Sequence, residues 1–453
     1  MAYAYFEKGR HNERAVFDYF FRKLPFNGGY AVFAGLDNLL NILEDFQFDS
    51  KDLSFLSQAG FSKHFISYLK DFRFTGNIYS CREGEIVFPT SPILQVEGNI
   101  IETQIVETIL LNVLNFQTLI ATKASRMRQA AGNRQLIDFG LRRAQGVGGY
   151  HASRAAYIGG FNSTSNVRAG RDFGIPISGT MAHSFVQSYD DELTAFRDFA
   201  ITHPNDSVLL VDTYSTLESG VPNAIRVGKE MEARGHKLKG IRLDSGDLAY
   251  LAKKSRKMLD DAGLTDVKIA ASNQLDEVII KSLLHQGAPI DVFGVGTSLV
   301  TGQPDAALDG VYKLTSFKGK PRIKISENIG KITLPGKKQV YRFSNSTEQW
   351  IGADAIALDD EVDIKMIYHP FNPHKKTAVK DCVKTPLLQK VMEDGKRTAK
   401  SLTLGEISLY SSERLKLLPA EYKRFNNPHI YRVGISEEIK KQKDALIVSH
   451  ENQ

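Results

Sequence analysis

The sequence predicts an α/β protein built around a parallel β/α series, and three observations carry that reading. Between Gln135 and Leu299 a short apolar run ends in glycine and polar residues and is followed by a helix-like segment, and this recurs about seven times. The runs Val208-Leu209-Leu210-Val211 and Val267-Lys268-Ile269-Ala270 are mostly continuous rather than alternating, as parallel strands buried on both faces require. The segments between the runs are amphipathic. Leu248, Leu251, Ala252, Met258, Leu259 and Ala262 share one helical face, and Leu275, Val278, Ile279 and Leu283 make a second stripe. Such a series collects a site at the rim where its strands end.

The flanking segments read differently. Residues 1 to about 123 mix helix and strand, with helical spacing at Leu39-Leu40-Ile42-Leu43 after a run ending Phe33-Ala34-Gly35-Leu36. Glu85 to Pro89 and Ile93 to Gly98 read as strands with a turn between them. A single long helix is predicted from Ile101 to Ala131, because no proline or glycine interrupts Glu102 to Ala130. After Gly310, alternation at Arg322-Ile323-Lys324-Ile325 and Gln339 to Phe343 predicts antiparallel strands of a separate layer. The polar segment Glu437 to Gln453 is a candidate final helix. The expected organisation is an N-terminal α/β domain over 1–123, a catalytic β/α region over 124–315, and a C-terminal region over 316–453 that partly completes the first domain.

Bulk properties narrow the class. A chain of 453 residues is too long for one ordinary core. The net charge of +6 suits an anionic substrate, but Lys and Arg are interspersed with Asp and Glu, which argues against nucleic acid. The cysteines Cys81 and Cys382 form no Cys-x-x-Cys or Cys/His cluster, so a zinc site is not expected. No long apolar stretch predicts a membrane span, and Met1 to Arg10 does not resemble a signal peptide. The expectation is a cytoplasmic enzyme.

Candidate chemistry sits at the ends of the runs. Arg242-Leu243-Asp244-Ser245-Gly246-Asp247 places a guanidinium, two carboxylates and a flexible glycine between a strand and a helix. Such a set suits a sugar phosphate: Asp244 accepts from ribose hydroxyls or holds Mg²⁺, and Arg242 pairs with an anionic group. Asp247 reads as the cap of the next helix. Gly294-Val295-Gly296-Thr297-Ser298 fits a backbone cradle for phosphate, or equally a turn. His183, in Gly179-Thr180-Met181-Ala182-His183-Ser184, reads as a structural histidine or a catalytic one. Asp138-Phe139-Gly140-Leu141-Arg142-Arg143 offers an aromatic face beside two arginines, on which a planar anion could stack and pair. The kinase Asp-Phe-Gly reading fails for want of its glycine loop, lysine strand and His-Arg-Asp companion.

Taken together these segments resemble the nicotinate phosphoribosyltransferases. The resemblance rests on Phe139 to Arg143, Gly160 to Asn166, Gly179 to Phe185, Asp212 to Tyr214, Gly240 to Leu248 and Gly294 to Thr301, with Phe20 to Phe26 and Lys324 to Arg342 outside the series. It covers nearly the whole chain, to about residue 435, and its specificity lies in the ordered combination. It implies the type II phosphoribosyltransferase fold: an irregular β/α barrel packed with a discontinuous α/β domain, in a homodimer with shared active sites. It implies a C–N bond-forming reaction of nicotinate with phosphoribosyl pyrophosphate in NAD salvage, with Mg²⁺ as cofactor, ATP as co-substrate and His183 transiently phosphorylated. His183 and Asp244 would be catalytic. Phe139 would stack on the pyridine ring, Thr180 and Arg242 would contact nicotinate, and Thr297 would contact the phosphoribosyl group. Arg142, Ser165, Ser245, Gly246, Gly294 and Gly296 would complete the substrate site.

One position separates close relatives. The similar nicotinamide phosphoribosyltransferases carry an aspartate where this chain has Ser165. An aspartate accepts from a carboxamide and repels a carboxylate, whereas serine can donate to a carboxylate, which favours nicotinate. Relatives also carry a tyrosine-bearing segment before the stretch matching Ala2 to Phe6, so the resemblance implies a start upstream of Met1. The competing readings are a nicotinamide phosphoribosyltransferase, a sugar-phosphate β/α-barrel lyase and a basic nucleic-acid-binding protein. The lyase would want a Schiff-base lysine or a paired acid and base at the strand ends, and none of the quoted ends carries a lysine.

Overall fold

The computed structural model describes residues 1–372, 374–398 and 400–451. The chain divides into two compact units, one formed by Met1–Thr122 with Ala307–Gln453 and the other by Lys123–Ala306. No helix among the described residues is long and apolar enough to cross a membrane.

The Lys123–Ala306 unit holds the β/α series. Its six-stranded sheet runs Ser163–Thr164, Gln135–Asp138, Val292–Val295, Lys268–Ala271, Gly240–Leu243, Val208–Leu210, and every pairing is parallel. A parallel bridge from Thr164 to Ile177 adds one more rung beyond Ser163–Thr164. No ladder among the described residues joins that end to Val208–Leu210. The arrangement is an open, parallel β/α series, which agrees with the predicted α/β class and is consistent with the expected irregular barrel. Leu136, Leu209, Ile241, Leu243, Ile269, Phe293 and Val295 are all fully buried, which explains why these strands read as apolar runs.

Helices return the chain between strands; one of them buries a face shifted from the one the spacing predicts, and another buries the predicted face with small residues added to it. In Glu277–His285 the buried residues are Glu277, Ile280 and Leu283, while Val278 is 63% and Ile279 39% exposed. The phase is set by Asp276, which caps Val278 and Ile279, and by Glu277, which is drawn inward by Lys123 Nζ at 2.5 Å and Arg126 Nε at 2.9 Å. In Leu248–Asp261 the small residues Ala249, Ala252 and Ser255 line the buried face with Leu259, and Leu248, Leu251 and Met258 are only half-buried.

The other unit contains a seven-stranded antiparallel sheet in which Arg14–Phe21 lies between Gly310–Phe317 and Leu94–Asn99. Phe17, Tyr19, Phe21, Leu94 and Val96 enter its core with Leu39, Leu40 and Leu43 of the helix Leu36–Glu44. A second sheet is antiparallel through Lys338–Ser344 and Trp350–Leu358 but pairs Trp350–Leu358 in parallel with Arg432–Ile435. There Arg342 is fully buried, bidentate to Asp354 at 2.9 and 2.8 Å and bonded to Glu85 at 2.8 Å.

Three local expectations change here. The predicted long helix is two, Ile100–Ile105 and Glu107–Ala131, separated at Val106, where the bond back to the Glu102 carbonyl stretches to 3.3 Å. Ile86–Val87 pairs with Ala31–Val32, while Leu94–Asn99 pairs with Arg14–Phe21 and Asn77–Ser80, so the two are not one hairpin. Arg322 to Ile325 forms no strand; instead the Lys324 N–H donates to the Thr333 hydroxyl at 2.8 Å. Glu437–Glu451 is helical.

Candidate active site

The polar residues that end the parallel strands converge at the carboxyl rim, and Arg242 is their hub. It follows Ile241 in Gly240–Leu243, so alternation turns it away from the fully buried Ile241 and Leu243. Its Nε donates to Ser272 Oγ at 2.8 Å, one terminal nitrogen to Thr180 Oγ1 at 2.7 Å, and the other to Asp244 Oδ1 at 2.7 Å. Those bonds engage both terminal nitrogens once, which leaves one N–H on each for an anion. The guanidinium carbon lies 5.3 Å from the centre of the Phe139 ring, within range of a cation–π contact.

Phe139 is held beneath that guanidinium by its neighbours. Its N–H donates to the Val295 carbonyl at 2.8 Å, extending the ladder past Asp138. A β-carbon at Gly294 would stand 2.4 Å from the ring, and one at Gly296 would stand 3.3 Å from the Phe139 carbonyl oxygen. Both glycines of the expected cradle thus serve close packing of Phe139. Thr297 follows at the first position of the short helix Thr297–Val300 and is half-buried.

His183 opens the helix His183–Gln187. Its Nδ1 lies 3.1 Å from Thr213 Oγ1, and its Nε2 lies 3.8 Å from Asp244 Oδ2. The imidazole is thus oriented on one edge and faces a carboxylate on the other, while its side chain stays 40% exposed. Asp244 links the two groups. Burial works against its charge, but the Ser272 hydroxyl, the Arg242 guanidinium and His183 outweigh burial and hold its carboxyl below the usual range.

Asp212, at the end of the neighbouring strand, fixes the turn after Asp244. Its Oδ2 accepts from the Asp244 N–H at 2.8 Å and from the Ser245 hydroxyl at 2.6 Å. Its Oδ1 is buried without a hydrogen-bond partner among the described residues. Gly246 sits at φ +75°, the left-handed conformation that lets the chain enter the next helix. Asp247 caps that helix by accepting the Tyr250 N–H at 3.0 Å, as its position predicts.

The structure therefore brings together His183, Asp244, Arg242, Thr180 and Phe139, with Gly294, Gly296 and Ser245 beside them. It adds Thr213, Asp212 and Ser272, each just past a strand end and none of them given a role by the sequence reading. Ser165 is reached through Asp138, whose carbonyl accepts its N–H at 2.9 Å and its hydroxyl at 3.1 Å. Arg142 stands exposed on the turn Leu141–Arg143. No cluster of three or more His, Cys, Asp or Glu side chains is placed to hold a metal ion among the described residues.

Comparison with known proteins gives the family. Three family models match: the nicotinate phosphoribosyltransferase N-terminal domain over residues 1–115, the nicotinate phosphoribosyltransferase family over 134–369, and its C-terminal domain over 337–443. The chain is 48% identical to nicotinate phosphoribosyltransferase of Bacillus subtilis, across 97% of this chain and 91% of that protein. It is 38% identical to the Dictyostelium discoideum protein of the same name, across 97% and 85%. The crystal structure of human nicotinic acid phosphoribosyltransferase superposes with a TM-score of 0.88 at 30% identity, covering 98% of both chains. The chain belongs to the nicotinate phosphoribosyltransferase family.

Proposed function

We propose that this protein transfers phosphoribose from phosphoribosyl pyrophosphate to nicotinate, coupled to ATP through a phosphohistidine. The observation that carries the reading is the Phe139–Arg242 pair. A flat aromatic face lies 5.3 Å below a guanidinium that three separate acceptors hold in place and that keeps two free N–H groups. That is what a planar aromatic carboxylate requires: stacking for the ring and a rigid fork for the acid.

Arg242 and Thr180 hold the nicotinate carboxylate, and Phe139 stacks on the ring. The Ser165 hydroxyl donates to the Asp138 carbonyl in the free site and would exchange that bond for one to the acid on binding. The ring nitrogen then attacks C1 of phosphoribosyl pyrophosphate, forming the C–N bond as pyrophosphate leaves. Asp244 accepts from the ribose hydroxyls, and Ser245, Gly246 and Thr297 line the phosphoribosyl side. His183 takes the γ-phosphoryl group of ATP, releasing ADP, and water later frees inorganic phosphate. A neutral imidazole nitrogen is nucleophilic near pH 7, and Thr213 orients it. Two carboxylates together with substrate phosphates are a usual Mg²⁺ environment, and Asp212 and Asp244 would hold that ion, whose charge offsets that of the pyrophosphate. The reading extends to a cytoplasmic homodimer with shared active sites, which light scattering would check as a mass of twice one chain.

The test mixes protein, nicotinate, phosphoribosyl pyrophosphate, Mg²⁺ and ATP and follows nicotinate mononucleotide. Omitting ATP should slow the reaction and lower its final yield. Labelling with γ-labelled ATP should mark an acid-labile site that disappears in His183→Ala. Full ATP-dependent activity in that variant would overturn the phosphohistidine assignment.

A further inference from the structure

We propose that Asp138 is a positioning residue for the aromatic-acid slot: one buried carboxylate that sets both the ring wall at Phe139 and the polar wall at Ser165. The proposal rests on the reading that this slot holds nicotinate. Asp138 is 1% exposed and ends the strand Gln135–Asp138, in register with Val295 on one neighbour and Thr164 on the other. It touches neither Arg242 nor His183 in the contacts described above; its influence runs through the two walls.

Its side chain gathers three donors. Oδ1 accepts from the Gly140 N–H at 2.8 Å, and Oδ2 accepts from the Ser153 hydroxyl at 2.7 Å and the Thr164 hydroxyl at 2.8 Å. The first bond closes a turn over Phe139 and fixes the backbone that aims its ring. Gly140 leaves no room for a side chain, since a β-carbon there would stand 2.1 Å from Val300 Cγ1. The Thr164 bond anchors the residue before Ser165. The Asp138 carbonyl then takes both the N–H and the hydroxyl of Ser165. The network continues outward, where the Asn166 N–H donates to Thr164 Oγ1 at 3.0 Å.

A carboxylate suits this place because it is acceptor-only and three donors converge on it. A buried carboxylate is costly unless so bonded, and burial does push its pKa upward against the bonds from Ser153, Gly140 and Thr164. An amide of the same shape would present an NH₂ group to one side of the set. The hydroxyls can rotate to accept it, so the fold survives while the two walls relax.

The experiment compares wild type with Asp138→Asn, using equilibrium dialysis of labelled nicotinate and nicotinamide, steady-state kinetics and thermal denaturation. The variant should bind nicotinate about tenfold more weakly and discriminate less against nicotinamide, with KM for phosphoribosyl pyrophosphate changed by no more than about twofold. Unchanged nicotinate affinity and selectivity in the folded variant would overturn the proposal. So would an equal loss for both substrates that tracks a fall in Tm, because that is a merely structural role. If Asp138→Asn does not fold, Thr164→Val carries the test: it removes one donor at nearly constant volume and should weaken nicotinate in the same direction. An unchanged Kd in Thr164→Val would then overturn the proposal. A wild type that fails to bind nicotinate would overturn the slot reading together with this proposal. A wild type that binds it beside an unaffected variant would overturn this proposal alone.

Discussion

The ring of Phe139 occupies the space in which a side chain at Gly294 would begin: a β-carbon there would stand 2.4 Å from Cε2 and 2.5 Å from Cδ2. Gly294 lies on a strand, so its value is the room it leaves rather than an unusual backbone angle. Gly294→Ala must displace the ring, and overpacking of this kind costs ~1–3 kcal/mol. The expected result is a rise of about tenfold in KM for nicotinate, with KM for phosphoribosyl pyrophosphate little changed. Unaltered nicotinate kinetics would show that the ring is not a wall of the slot.

Arg242→Lys keeps the charge and loses the fork. A lysine cannot bond Ser272, Thr180 and Asp244 from one plane and still present two further N–H groups. Hydrogen bonds to charged groups are worth ~1.5–3 kcal/mol each, so kcat/KM for nicotinate should fall by about 100-fold. A lysine variant within about twofold of wild type would remove the guanidinium from the recognition argument.

Thr213→Val removes the partner of His183 Nδ1 while keeping the volume at that strand end. One such bond contributes ~0.5–1.5 kcal/mol, so labelling by γ-labelled ATP should slow by up to about tenfold. Nicotinate binding by dialysis should not move. If nicotinate affinity falls instead, Thr213 acts on the slot and not on the imidazole.

Glu277 makes the stability of the β/α unit pH-dependent. Burial opposes its charge, but Lys123 and Arg126 outweigh burial and lower its pKa below the ordinary 4.5. The folded value lies below the unfolded one, so the stabilisation is full above about 4.5 and is lost as pH falls through the lower folded value. Removing one member of a buried ion pair costs ~3–5 kcal/mol. Glu277→Gln should therefore lower Tm most at neutral pH, and the gap to wild type should close in acid. A gap independent of pH would show that packing, not charge, is at stake.

Metal dependence has its own test at Asp212. Chelation should abolish turnover and added Mg²⁺ should restore it. Asp212→Asn should raise the Mg²⁺ concentration for half-maximal rate by about tenfold, because Oδ1 is the side-chain oxygen left without a partner there. An unchanged Mg²⁺ requirement would leave Asp212 only its contacts to Asp244 and Ser245.

Much of the site was legible because strand ends punctuate themselves. Glycine, aspartate and serine interrupt each apolar run where a buried strand must turn, so Arg242, Asp244, Phe139, Gly294 and His183 stand out as candidates by position, and their roles are what the family resemblance implies. Asp247 shows the same logic for a cap. Thr213 and Ser272 were visible in the series but carry no local sign of a role. Their meaning is a distance to a side chain about 30 positions away, His183 for one and Arg242 for the other.

What the chain determined by itself was periodicity: parallel strands as unbroken apolar runs, polar residues at one rim, and the type of most elements. Tertiary structure decided whatever depends on a partner distant in sequence. Val278 and Ile279 lie on the expected apolar stripe, yet Glu277 turns inward because Lys123 and Arg126 await it. Ile86–Val87 and Leu94–Asn99 look like one hairpin, yet each finds other strands. Asp138 sits at the end of an apolar run with no role of its own, yet its carboxylate gathers donors from three segments. The physical reason is common to all three. Burial and spacing act along the chain, whereas an ion pair, a ladder or a buried hydrogen bond is satisfied only by a group that the fold delivers.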